Sequence, residues 1–201
     1  MKTILTLLFL FFALCSFQAN AHDTISVNNI SKYKIGAKFI GERSGDYSLT
    51  PQSYTVFSGG IQVIRQLKNS KSSIESGIYL TSKAVASYAY HELFQNISIP
   101  INYRFDTKII YIAAGPFIDY LVNENFSHGG QHDDNSRKFN VGGNVNLGVE
   151  KSINKSLSLM IEARYAITLS SSSTGRRGFF GPSYTNYGFA VGVNYRLPRH
   201  S

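Results

Sequence analysis

The chain holds 201 residues, 43% of them hydrophobic, with 14 Phe, 13 Tyr and no Trp, a composition too apolar for disorder. Its formal charge of +8 becomes +7 when Lys2 leaves with the N-terminal leader described next, an excess too small and scattered to mark a partner. Cys15, the single cysteine, lies in that leader, which excludes a disulfide framework, thiol catalysis and a Cys-ligated metal centre in the exported chain.

Lys2 precedes the apolar run from Ile4 to Leu14, and Ala19-Asn20-Ala21 places small residues at the −3 and −1 cleavage positions, so residues 1–21 read as a secretory signal. Acylation at Cys15 is disfavoured by the bulky Leu14 before it. Beyond the signal nothing approaches the roughly 20 apolar residues of a spanning helix. The mature chain is therefore soluble or crosses a membrane as strands.

From Tyr33 onward apolar residues recur at every second position, the period of a strand with two unlike faces. In chain order, 33–41 carries Lys34, Gly36 and Lys38 on its polar face, and 57–64 sets Phe57, Gly59, Ile61 and Val63 against Ser58, Gly60, Gln62 and Ile64. Segment 72–83 has Glu75, Gly77 and Tyr79 on one side, 93–105 sets Ile97, Ile99, Ile101 and Tyr103 against Asn96, Ser98, Pro100 and Asn102, and 108–122 is apolar on both faces. The pattern is cleanest in 139–150, where Val145 and Leu147 alternate with Asn144 and Asn146, in 157–169, and in 187–197, where Val191 and Val193 alternate with Gly192 and Asn194.

These eight segments are joined by connections that alternate in length: long at 42–52, 123–137 and 170–183, moderate at 84–89, short at 68–71, 106–107 and 152–154. Transmembrane barrels show that asymmetry, with short periplasmic turns and longer outer loops. The expected fold is all-β, an eight-stranded antiparallel up-and-down transmembrane β-barrel over 33–197, after a short periplasmic segment 22–32 and before a tail 198–201. A soluble lipocalin-like ligand-binding barrel is the competing arrangement, but its usual Gly-x-Trp signature cannot occur in a chain without Trp. The polar faces of the last three segments, rich in Gly, Ala, Ser and Asn, suit a narrow lumen, while the apolar rows suit lipid. Tyr33, Tyr103, Phe105 and Tyr195 would form one aromatic girdle, and Tyr54, Phe57, Tyr88, Tyr120, Phe139 and Tyr187 the other.

Several segments resemble the PorT-like outer-membrane β-barrel family of Bacteroidetes. Glu75-Ser76-Gly77-Ile78-Tyr79-Leu80 is similar to an early strand of that family, Ile97-Ser98-Ile99-Pro100-Ile101-Asn102-Tyr103 to its "iPl.y" strand, and Ala114-Gly115-Pro116-Phe117-Ile118-Asp119-Tyr120-Leu121 to its "GP...yl" strand. The later segments 142–150, 161–165 and 192–197 also fit. The resemblance implies a bacterial outer-membrane location and a barrel fold. Members serve varied envelope tasks, secretion among them.

An eight-stranded barrel is just wide enough for side chains to fill it, so the lumen is expected to be a packed polar core rather than an open pore. On the proposed register its charges are Lys34, Lys38, Arg104, Arg164 and Arg196 against Glu75, Asp119, Glu150 and Glu162. Buried ions need partners, so this near-balance points to a salt-bridge network, with a proton or ion path as the sharper alternative.

Outside the lumen, His128 and His132 with Asp133 form a weak metal-ligand set on a Gly-containing loop that imposes no geometry, so neither a metal nor a cofactor is expected. In the last long loop, Arg176, Arg177, Phe179 and Phe180 suit anionic lipopolysaccharide, an envelope protein or an extracellular ligand. Lys68, Lys71, Lys108, Lys151 and Lys155 sit at the short turns beside inner-leaflet headgroups, a dispersed arrangement that forms no nucleic-acid groove. Ser87, His91 and Glu92 at the outer rim are the only suggestion of a lipid-modifying or hydrolytic enzyme. The expectation is a non-enzymatic barrel with a structural or binding role in the envelope.

Overall fold

The computed structural model describes residues 30–45, 53–67, 71–86, 91–127, 138–169 and 184–198. Eight strands follow in chain order: β1 (Ile30–Gly45), β2 (Ser53–Gln66), β3 (Ser72–Ala86), β4 (His91–Asp106), β5 (Ile110–Ser127), β6 (Phe139–Ser152), β7 (Leu157–Thr168) and β8 (Tyr184–Pro198). Each pairs antiparallel with its sequence neighbour, and β8 returns beside β1 to close the barrel. The fold is the eight-stranded antiparallel up-and-down β-barrel that the alternation predicts. Closure leaves no free edge, the condition for strands in an apolar solvent.

The orientation of the faces decides which solvent surrounds it. Leu147 and Val191 point outward, 56% and 50% exposed, whereas Asn146 is 3% exposed inside. A barrel in water has the reverse pattern. Outward rows of Ile, Val, Leu and Phe cover the wall, with Tyr33, Tyr103, Phe105 and Tyr195 exposed toward the short-turn end and Phe57, Tyr120, Phe139 and Tyr187 toward the other. Tyr120 and Phe139 pair at 5.1 Å across β5 and β6, and Phe39 stacks on Phe57 at 5.8 Å across β1 and β2.

The strands run past the alternating apolar segments. β1 begins at Ile30, inside the expected lead-in 22–32, and continues to Gly45, four residues into the expected loop 42–52; β5 continues to Ser127. Glu42 to Gly45 are polar or small and read as loop, but each pairs with β2 between Val56 and Ser53. Ladder pairing by the neighbouring strand outweighs local composition at strand ends, and lengths of 12–18 residues exceed the roughly 9–11 that a spanning strand needs.

The interior is more apolar than a purely polar core. Ile40, Tyr79, Phe94, Tyr111, Phe117 and Met160 are buried among the polar residues. Room for the larger ones comes from glycine on the next strand. Tyr79 is paired with Gly60, Tyr111 with Gly148, Phe117 with Gly142 and Met160 with Gly192. A Cβ on Gly60 would lie 2.7 Å from the Tyr79 ring, and one on Gly148 would lie 2.6 Å from the Tyr111 hydroxyl.

Besides a register shift between β4 and β5 at Gln95 and Asn96, the β2–β3 seam departs from regular pairing. The β2–β3 ladder ends at Gly59 and Leu80 although both strands continue, β2 still paired with β1 and β3 with β4. Above that point β3 leans into the lumen. The Ala84 amide donates to Ser44 Oγ of β1 at 3.0 Å, the same hydroxyl donates to the Ala84 carbonyl at 3.2 Å, and the Ser82 amide donates to Ser58 Oγ at 3.1 Å. Serine hydroxyls replace the missing main-chain partners.

Leu147→Arg should lower stability in liposomes by about 2–4 kcal/mol, as a charge on the lipid face near mid-depth does. Gly148→Leu, which forces Tyr111 out of its seat, should lower it by about 1–3 kcal/mol. Urea titration followed by heat-modifiable gel migration measures both.

Candidate functional site

The inward face of every strand contributes to one filled lumen, and the charged residues there fall into two tiers. In the tier nearer the short turns, Arg104 on β4 is 1% exposed. Its guanidinium binds Glu150 of β6, contacts Asp106 Oδ1 at 2.7 Å and Glu75 Oε2 of β3 at 3.5 Å, and lies 3.6 Å from the centre of the Tyr111 ring. Glu150 also accepts from Lys34 Nζ of β1 at 2.7 Å. Asp106 accepts from Ser73 Oγ at 3.0 Å.

Lys38 of β1 continues the chain of charges toward the centre. Its ammonium lies 3.0 Å from Glu75 Oε1 and 3.0 Å from Glu162 Oε1 of β7. Tyr111 Oη donates to the other Glu162 oxygen at 2.7 Å. Beside it a neutral relay crosses the barrel: Tyr79 Oη donates to Gln62 Oε1 at 3.0 Å, and Gln62 Nε2 donates to Asn194 Oδ1 at 2.7 Å. Asp106, Arg104, Glu75, Lys38 and Glu162 thus alternate in sign along a continuous path through four different strands.

The second tier lies toward the long connections. Lys83 of β3 binds Asp119 of β5, donates to Thr168 Oγ1 at 2.7 Å, and lies 4.9 Å from the Phe117 ring centre. Arg164 Nε faces Glu42 Oε1 at 3.3 Å, and the second Glu42 oxygen accepts from Asn186 at 3.2 Å. Each ion meets an opposite partner because a desolvated, unpaired charge carries a penalty of several kcal/mol.

The nine lumen residues named from the sequence all lie on the inward register. Lys34, Lys38, Glu75, Arg104, Glu150 and Glu162 are joined in the first tier, Asp119 and Arg164 sit in the second, and Arg196 lines a cavity of about 190 Å³ at the short-turn mouth together with Lys32, Lys34, Lys108, Asp106 and Glu150. Sequence reasoning missed Glu42, Lys83 and Asp106. Glu42 and Asp106 were assigned to connections, and Lys83 closed its segment uncounted. The signal was present in each case, since Glu42 keeps step with Lys38, Lys83 with Tyr79 and Asp106 with Arg104. Extending the alternation past the apolar residues recovers all three.

Arg176, Arg177, Phe179, Phe180, His128, His132, Asp133 and Ser87 lie outside the described residues. His91 and Glu92 open β4 at the long-connection end. No group of three metal-ligating side chains occurs among the described residues.

An outward apolar wall around a filled, ion-paired lumen defines a small eight-stranded barrel of the outer-membrane type. No family model and no curated protein matches the chain. Among solved structures, it is similar to Neisserial surface protein A at 15% identity over 83% of this chain and 98% of that one, with a TM-score of 0.57. It is also similar to Ail, the attachment invasion locus protein of Yersinia pestis, at 12% identity over 84% of this chain and 100% of that one, with a TM-score of 0.52. Both likenesses are of fold.

Lys38→Met leaves Glu75 and Glu162 without their shared cation and should destabilise the barrel by about 3–5 kcal/mol, the range for breaking a buried pair. Adding Glu75→Gln and Glu162→Gln should restore most of that loss in the same urea titration. A triple variant no more stable than Lys38→Met would mean that the lysine acts by packing instead.

Proposed function

We propose that the chain is an integral protein of the bacterial outer membrane, exported through cleavage of residues 1–21, in which a plugged barrel is a rigid platform and the long connections bind. The carrying observation is the Arg104–Glu75–Lys38–Glu162 bridge, which spans the lumen and occupies the space a diffusing solute would need. That arrangement supports a structural or binding role over a porin, and the reading assigns the protein neither catalysis nor a cofactor. The finer kinship, to the PorT-like barrels of Bacteroidetes, rests on the short motifs at 75–80, 97–103 and 114–121.

On this reading the binding chemistry resides in the last long connection, where Arg176 and Arg177 meet anionic lipopolysaccharide and Phe179 and Phe180 add apolar contact. Exposed cations near an anionic surface contribute about 1 kcal/mol each. An envelope protein or extracellular ligand would use the same residues.

In planar bilayers the refolded protein should show no steady unitary conductance, and its migration should be heat-modifiable. A regular ohmic step would overturn the plugged-barrel reading. Arg176→Ala combined with Arg177→Ala should weaken binding to lipopolysaccharide vesicles roughly tenfold or more without changing the urea midpoint. Unchanged vesicle binding would remove the loop from the proposal.

A further inference from the structure

The cavity of about 190 Å³ at the short-turn mouth carries charge that the ion network does not use. Small inward side chains, Ser73 on β3 and Ser152 on β6, leave the space there. Its charged wall is Lys32 and Lys34 of β1, Lys108 of the turn between β4 and β5, Arg196 of β8, and the carboxylates Asp106 and Glu150. Lys32 and Arg196 keep the inward register of Lys34 and Asn194, whereas their neighbours Tyr33 and Tyr195 are exposed on the outer face. The cavity therefore opens along the bore and not onto the apolar wall.

Both carboxylates are already engaged. Glu150 is bound by Arg104, Lys34 and Ser158, and Asp106 by Arg104 and Ser73. Of the four cations in the wall, Lys34 has its carboxylate, while the side chains of Lys32, Lys108 and Arg196 have none among the described residues. Three uncompensated cations from three different elements thus border one recess. Like charges gathered around a recess with low-dielectric walls concentrate counter-ions within it.

We infer that this mouth cavity binds the phosphate group of a monoester. Such a group carries a charge of about −1.5 to −2 at neutral pH and three acceptor oxygens, which matches three cations, and the guanidinium fork of Arg196 suits a phosphate edge. A carboxylate has less charge and one oxygen fewer, and leaves a cation unmatched. A soluble ester and an anionic lipid headgroup reaching over the rim share this chemistry. The site is at the opposite end of the barrel from the loop binding proposed above. The compartment it faces rests on the membrane placement, but the anion chemistry does not.

Full-length mature protein refolded in uncharged maltoside micelles is titrated calorimetrically with glycerol 3-phosphate at neutral pH and low salt. Saturable heat with a dissociation constant below about 1 mM is expected, and none with acetate. Arg196→Gln should weaken binding roughly tenfold, as loss of a charged hydrogen-bond donor does. Lys108→Gln, exposed on its turn, should weaken it roughly threefold. Lys155→Gln, at a short turn outside the cavity, should change nothing. Heat-modifiable migration checks that each variant is a closed barrel.

No saturable heat, equal binding of acetate, or equal losses in Lys108→Gln and Lys155→Gln would overturn the inference, the last because it reports diffuse attraction to the net positive charge. In phosphatidylcholine liposomes, added phosphatidic acid separates the two sources. Displacement of glycerol 3-phosphate assigns the site to a headgroup, and an unchanged titration assigns it to a soluble ester. A protein that fails to enter liposomes at all sinks the membrane placement, and the micelle titration still decides the site.

Discussion

Main-chain hydrogen bonding is the constraint on which the rest of this structure depends. A surface of outward Ile, Val, Leu and Phe calls for hydrocarbon around it, and hydrocarbon offers no partner to a peptide group. The strands must then satisfy one another, which the eight do by closing β8 onto β1, except where the β2–β3 ladder ends at Gly59 and Leu80. Closure at that strand number sets the bore, and a narrow bore has to be filled by side chains.

Filling a narrow tube with strands that each present a fixed side-chain period leads to two solutions, both visible here. Steric crowding is relieved by setting glycine opposite each of Tyr79, Tyr111, Phe117 and Met160. Charge is tolerated because cations and carboxylates alternate along the bore, so that Lys38 shares its proton donors between Glu75 and Glu162, and Arg104 serves Glu75, Asp106 and Glu150 together. Such a network stabilises little relative to an apolar filling. What it does supply is a register: slipping a strand that carries these ions by one residue would send them into the apolar surroundings.

The β2–β3 seam shows how the same constraint behaves where the ladder fails. Main-chain groups of Ser82 and Ala84 still find partners, but these are the hydroxyls of Ser58 and Ser44 rather than β2 backbone. Side-chain substitution lets β3 tilt inward and opens the wall without leaving those groups unsatisfied. A largely apolar groove at the height of the Phe39–Phe57 stack is the result.

Much of this was legible in the residues alone. Strand count, the inward or outward sense of each alternating segment and the lumen positions from Lys34 to Arg196 follow from the two-residue period, since a strand's side chains have only two directions to take. The period weakens where polar residues stand on both faces, and there composition places Glu42 and Asp106 in connections. The neighbouring strand holds both in the ladder, pairing Glu42 with Val56 and Asp106 with Tyr111 past the apolar stretch. Which carboxylate meets which cation, which glycine faces which ring, and where the β2–β3 pairing gives way were decided only by the closed barrel. Those contacts join residues from strands far apart in the chain, and their meeting depends on the registers of all eight strands at once.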